Sequence, residues 1–238
     1  MIPEMAPVFL TAEWRSLAML NYTVDPAALA PWLPRGVELD LWQGEAVMSM
    51  VGFLFRRCRV FGVAWPGLTD FEEVNLRFYV RRRAGTEMRR GVVFVQEIVP
   101  SRLVAFGARA FYHERYVAMP MRHRVDADRV EFRWRHRGEW ESLAATMRGE
   151  SQAIVPGSEE EFIFEHYWGY VRRRDGGTTE YAVEHPPWRV RPVEAATLRC
   201  AAAALYGPEF AGALAGAPRS AFVAEGSAVQ VRRGVRLV

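Results

Sequence analysis

The chain has 238 residues, 50% hydrophobic and 25% charged, a balance that places it among globular proteins and excludes a disordered or fibrous chain. Its 31 basic and 28 acidic residues leave a formal charge of +3, so a pI of about 9.1 reports a slight surplus and gives no footprint for nucleic acid. All the cations are Arg; with no Lys anywhere, Schiff-base chemistry from a lysine amine is impossible.

No linker, low-complexity tract or fixed-period repeat divides the sequence, so one domain spanning residues 1–238 is expected. The two cysteines, Cys58 and Cys200, lie outside any C-x-x-C spacing and read as buried thiols. The stretch Met1 to Pro7 has no basic region followed by an apolar one, so cytoplasmic residence is expected, and the Asn21-Tyr22-Thr23 sequon carries no weight. The longest apolar run, Ala46 to Phe55, is too short for a bilayer and reads as a buried strand; no membrane contact is expected.

Along the chain, Asp25-Pro26 supplies a cap and a first-turn proline for a short helix with Leu29, Trp32 and Leu33 on its apolar face, stopped by Pro34. Val37 to Phe61 reads as a hairpin turning at Gln43-Gly44. Phe71 to Val80 alternates cleanly, with Glu73, Asn75, Arg77 and Tyr79 on one face and Val74, Leu76, Phe78 and Val80 on the other. After an Ala84-Gly85 turn, Gly91 to Val99 forms another strand, and Ser101 opens a helix with Leu103, Phe106, Ala110 and Phe111 at helical spacing.

Met121 to Arg137 and Trp140 to Arg148 read as a meander turning at Asp126-Ala127-Asp128 and at Gly138. Ser158 to Glu161 is a capping box, and Asp175-Gly176-Gly177 turns into a strand from Thr178 to Val183. A helix near Ala203 to Leu214 and two short strands, Ala221 to Ala224 and Val229 to Val231, close the chain. This is an α+β pattern, mainly antiparallel β.

A P-loop, a G-x-S-x-G elbow, a G-x-G-x-x-G after a strand and an H-E-x-x-H pair are all missing. Histidines 113, 123, 136, 166 and 185 have no metal-ligand spacing, so neither metal nor cofactor is expected. The Glu73, Asn75, Arg77 row would form a carboxylate-binding cluster if it faced a barrel interior; alternation alone favours a solvated face. Tyr112 to Tyr116, with Glu114 between them, joins acid, base and phenols in five residues, and Glu165 to Tyr170 and Glu184 to Trp188 are aromatic clusters each led by Glu-His. Arg133, Arg135 and Arg137 flank Phe132 and Trp134, which fits a solvated strand face better than a nucleic-acid platform at this charge.

Four ordered motifs, Phe71 to Val80, Arg90 to Pro100, Glu165 to Tyr170 and Val183 to Trp188, resemble those of the YqjF-like family, a bacterial domain of unknown function. Thr11 to Arg15, Leu20 to Tyr22 and Ala224 to Ser227 fit too, so the resemblance covers nearly the whole chain. It implies an acetoacetate decarboxylase-like β-barrel or cone around a central cavity, with a few short helices, and it turns the Glu73 row inward. Acetoacetate decarboxylase draws its Schiff-base amine from the first lysine of a Tyr-Pro-Lys-Lys motif. The counterpart here, Ala118-Met119-Pro120-Met121-Arg122, implies Met121 at that position, and a thioether forms no imine.

The expected function is therefore binding of a small organic acid or carbonyl compound without Schiff-base decarboxylation. Arg77 would hold the carboxylate, Glu73 and Glu97 would orient it, and Tyr112, Tyr116, Met121, Tyr167 and Trp168 would form the walls, with Asn75, Glu114 and His166 also expected among the ligand-binding residues. The competing expectation is a lysine-independent lyase or hydrolase of carbonyl compounds, with Glu73 or Glu114 as general base and Arg77 as oxyanion partner. A small-molecule ligand is the expected partner, nucleic acid and membrane are not, and a homo-oligomer is left open.

Overall fold

The computed structural model describes residues 6–112 and 114–237, the side chains of 111 and 112 excepted. A long first strand, β1 (Val8–Val24), runs into Asp25, whose carboxylate accepts from Ala27 N at 2.8 Å and caps α1 (Pro26–Leu29) as its sequence predicts. Then come β2 (Glu38–Leu39), β3 (Ala46–Val60), β4 (Phe71–Ala84), β5 (Glu87–Val99), α2 (Arg102–Tyr112) and β6 (Tyr116–Ala118). The expected meander is β7 (Met121–Val125), β8 (Arg129–His136) and β9 (Glu139–Met147). β10 (Gln152–Ala153), α3 (Glu159–Phe164), β11 (Trp168–Arg172), β12 (Thr178–Glu184), β13 (Arg189–Arg199), α4 (Ala202–Leu205), α5 (Pro208–Ala215), β14 (Ser220–Arg232) and β15 (Val235–Leu237) complete it.

Among these strands the order β12-β11-β5-β4-β3-β1-β14 closes on itself, because Val183 and Glu184 of β12 pair with Val231 and Gln230 of β14. The result is a cone-like ring. At its other end β14 pairs with β13, which carries β9, β8 and β7 back over the ring's outer face. There Phe132, Trp134 and Leu143 pack with Met50, Leu76 and Phe78, and α1, α4 and α5 add Leu29, Leu205, Phe210 and Leu214. The inner face carries a second cluster with Val51, Phe53, Phe55, Tyr79 and Phe162. A strand between two apolar layers has no solvated side, so the face of β4 that alternation alone assigns to water is buried; Glu73 and Asn75 are each 2% exposed.

Three irregularities aim side chains into the ring. Ser16 (φ 55°) and Arg57 (φ 52°) sit at register shifts or turns of β1 and β3, and β5 gains a residue where Leu76 pairs with Gln96 but Arg77 with Phe94. Each switches the alternation, so Trp14 and Leu17, Phe55 and Cys58, and Phe94 and Glu97 all face inward although each pair is three residues apart.

The structure departs from the sequence reading at several elements. β1 and β13 are unanticipated; the Ser16 bulge breaks the period of the first, and exposed arginines interrupt the second. The Gln43-Gly44 turn forms, but the strand before it shrinks to β2 and pairs with β4. The helix expected over 203–214 is two, divided at Gly207-Pro208, and the two closing strands are one, β14. In α2 the expected apolar face is not the buried one: Phe106 is exposed and Leu103 sits at the exposed rim of the interior, while Val104 and Ala105 pack inward, because the helix is apolar on both sides.

Gly226 lies at φ +79°, opposite Arg15, where an added Cβ would fall 2.0 Å from the Trp14 carbonyl oxygen. Gly226→Ala is expected to cost about 3 kcal/mol by chemical denaturation. Gly212→Ala, in open space on α5, should be neutral or slightly stabilising.

Candidate functional site

The ring encloses a cavity of about 500 Å³ lined mainly by aromatic and aliphatic groups. Trp14, Phe53, Phe55, Phe71 and Trp188 form one wall; Phe55 stacks on Phe71 at 4.6 Å, and Trp188 on His185 at 4.0 Å. Trp65 and Leu103 line it while 55% and 69% exposed, so the mouth is apolar as well.

The polar end is built across three neighbouring strands. Asn75 on β4 pairs with Glu97 on β5, and Glu97 with Tyr116 on β6, which sets one row of inward side chains, with Glu73 one step along β4. The Glu73 carboxylate accepts from Asn75 Nδ2 at 3.0 Å and from the Tyr116 hydroxyl at 2.9 Å. Glu114, in the turn before β6, accepts from the Tyr181 hydroxyl at 2.9 Å. Tyr181 reaches it by crossing Gly169 of β11, where a Cβ would stand 2.1 Å from the phenol ring; only glycine admits this approach.

Three carboxyl groups thus share one dry space. Burial raises the Glu73 carboxyl to about 7, against the donors Asn75 and Tyr116 and the Arg77 charge, which pull the other way. Burial raises Glu114 to about 8, with the Glu73 charge adding to it. Glu97 is pushed well above the usual carboxylate range by burial and then by the charges of Glu114 and Glu73. At neutral pH the cluster therefore carries protons, and a protonated carboxyl donates where a carboxylate only accepts.

Beside them, Arg77 on β4 is partly buried; its Nη2 lies 3.7 Å from the Met19 thioether, and its Nε has no hydrogen-bond partner. Its charge helps lower both His166 and His185, after burial. His166 is driven down to about 4, chiefly by burial. Asp40, despite its burial, is held below the usual range by His166 and Arg90; Arg90 donates to its Oδ2 at 2.7 Å and His166 Nε2 stands 3.1 Å away. A neutral imidazole facing an ionised carboxylate must carry its proton on Nε2, which leaves Nδ1 a bare acceptor. That Nδ1 is buried and unpartnered, as are Asn75 Oδ1, Glu97 Oε2 and Trp14 Nε1, all on residues lining this cavity.

Of the residues expected at the site, Glu73, Asn75, Arg77, Glu97, Glu114, Tyr116, His166 and Trp168 line the one cavity. Tyr167 stands behind it, its hydroxyl on Glu165 and its ring on His185. Met121 is elsewhere: it begins β7, opposite Trp134, and packs into the outer core, since β7 belongs to the sheet folded over the ring. The Tyr112 side chain lies outside the described residues. Sequence reasoning missed Trp14, Tyr181, Trp188 and Asp40 as site residues. Trp14 and Trp188 fall inside quoted motifs; Asp40, alone in a turn, carries no local signal. Cys58 lines the cavity, and burial lifts its thiol to about 11, which makes it a poor nucleophile.

Residues 11–228 match the DUF2071 family, described as an uncharacterized conserved protein, and the chain belongs to that family. It is 25% identical over 191 residues to the uncharacterized protein YqjF of Bacillus subtilis, covering 76% of this chain and 75% of that one. Among solved structures it is similar to acetoacetate decarboxylase from Legionella pneumophila, with TM-score 0.67, 13% identity and coverage of 99% and 90%. The enduracididine biosynthesis enzyme MppR complexed with pyruvate gives TM-score 0.66, 16% identity and coverage of 99% and 92%. An acetoacetate decarboxylase-like enzyme from Sphingomonas wittichii gives TM-score 0.65, 14% identity and coverage of 98% and 94%. The fold is thus acetoacetate decarboxylase-like.

The raised carboxyls set a sign for stability against pH. Their folded values, about 7 and 8 for Glu73 and Glu114, exceed the ordinary 4.5, so between about 4.5 and 8 the folded state holds protons the unfolded chain has lost. Stability falls as pH rises through that window. His166, lowered from 6.5 to about 4, acts oppositely, but its effect is complete above 6.5. Denaturation at pH 6.5 and pH 8 should therefore show a loss of about 2 kcal/mol at the higher pH. Glu97→Gln, which removes one proton-holding carboxyl from the cluster, should flatten the difference; an unchanged slope would refute the retained protons.

Proposed function

We propose that the cavity binds a small organic acid or carbonyl compound with an apolar body, and that the polar head lies against Arg77. The observation that carries this reading is the set of unpartnered buried polar atoms, Arg77 Nε, Trp14 Nε1, Asn75 Oδ1, Glu97 Oε2 and His166 Nδ1, all on residues that line one aromatic cavity. Each such atom costs about 1–3 kcal/mol while it lacks a partner, and a ligand head with both acceptors and donors offsets that cost. Arg77 suits a carboxylate or carbonyl oxygen. The glutamates do not repel such a head while they hold protons at neutral pH; they donate to it instead. The solved relative MppR complexed with pyruvate, a keto acid, supports the same ligand class.

A second reading, a lysine-independent lyase or hydrolase, draws on one observation. Glu73, held by Asn75 and Tyr116 beside Arg77, is raised to about 7 and can take or give a proton at neutral pH. The two readings part at Glu73→Gln, which abolishes turnover but keeps affinity in an enzyme, and changes affinity alone in a binder.

Thermal denaturation against keto acids, short carboxylates and aromatic acids should reveal compounds that raise the midpoint for the wild type, because a ligand selective for the folded state stabilises by mass action. Arg77→Ala should lose the shift. Shifts of equal size in both proteins would remove Arg77 from the reading, and no shift with any compound would remove the ligand class.

A further inference from the structure

A second pocket, of about 490 Å³, opens on the opposite side of the wall formed by Phe94 and Glu114. Its lining brings together Arg109 from α2, Arg115 from the turn before β6, Arg172 at the end of β11, and Arg173 and Arg174 beyond it, with Trp32 at its edge. These guanidiniums are largely uncommitted. Arg109 makes a 3.4 Å contact to the Tyr116 carbonyl and Arg172 a 3.0 Å bond to the Pro31 carbonyl, while Arg115 lies over the Trp32 ring at 4.4 Å. Arg173 is the most engaged, donating to Asp175 at 3.3 Å and to the Thr179 hydroxyl at 3.4 Å. Each guanidinium has five N–H donors, so most donors face the pocket or solvent.

The acidic groups nearby do not balance this charge. Asp175 is also engaged by Arg236 at 3.5 Å, and Glu209 accepts from Trp32 Nε1 at 3.2 Å. Glu114 points through the wall to Tyr181. Five like charges around one concave space repel one another, and an arrangement of that kind is stabilised by a multiply charged anion. Planar guanidiniums pair bidentately with phosphate oxygens, and five of them exceed what one monovalent head needs.

We propose that this arginine-lined pocket is a binding site for a phosphorylated small molecule carrying two or more phosphate groups. It is independent of the cavity ligand, although Phe94 and Glu114 border both spaces. The chain's small net charge means that the positive field is local to this pocket, which favours a compact polyanion over a long nucleic acid.

Isothermal titration with pyrophosphate and adenosine triphosphate, against orthophosphate and a short single-stranded oligonucleotide, tests the site. Pyrophosphate and the triphosphate should bind more tightly than orthophosphate, and the affinity should fall as salt rises. Arg109→Gln with Arg115→Gln should weaken them tenfold or more, as should Arg172→Gln with Arg174→Gln. Arg77→Ala and the exposed β8 pair Arg133→Gln with Arg135→Gln should leave them unchanged. No binding of either polyphosphate, or equal losses in the β8 control, would overturn the proposal. An oligonucleotide that binds more tightly through the same arginines would overturn the small-molecule assignment.

Discussion

Three carboxyl groups buried within one apolar ring are the constraint on which the rest of this structure depends. Burying an ionised carboxylate is costly, and burying three that feel one another's charge costs more, so the interior holds them only by keeping protons on them and by aiming donors at those that ionise. Asn75 and Tyr116 on Glu73, and Tyr181 on Glu114, are those donors. The aromatic walls exclude water and thereby raise the carboxyls, while the Arg77 charge pulls Glu73 back toward ionisation.

The sheet geometry serves the same end. A regular strand would point Phe94 and Glu97 to opposite faces; the extra residue in β5 turns both inward and sets Glu97 between Asn75 and Tyr116. The bulge at Ser16 does the same for Trp14 and Leu17. Gly169 gives up its side chain so that Tyr181 can cross β11 to Glu114. The outer layer of β7, β8, β9 and β13 keeps the far side of the ring dry; Phe132 and Trp134 are fully buried there, which removes them as stacking platforms and leaves Arg133 and Arg135 on the solvated face.

The same irregularities explain what the sequence discloses and what it hides. The period of β4 is unbroken, and its Glu73, Asn75 and Arg77 are legible at once as one row. Whether that row meets water is not a local property, because it depends on β12 and β14, far along the chain, closing the ring. The motif resemblance supplied that information, and alternation alone pointed the wrong way. β1 hides because its bulge splits the hydrophobic period. The buried face of α2 is hidden because the helix is apolar on two sides. The motif resemblance implies Met121 at the lysine position, and the chain path carries it to the outer sheet instead. Asp40 became visible only through its contact with His166.

The chain folds as an acetoacetate decarboxylase-like ring and has no lysine, so no lysine imine can form in its cavity. In the proposed reading the glutamate cluster, Arg77 and the Nδ1 of His166 receive the ligand head, with donors and acceptors set by protonation. The most direct measurement is a carboxyl carbon-13 titration of glutamate-labelled protein, with Glu73→Gln, Glu97→Gln and Glu114→Gln for assignment. The account predicts resonances that titrate above pH 6 and are missing or displaced in those variants. Midpoints in the ordinary range near 4.5 for all glutamates would contradict it.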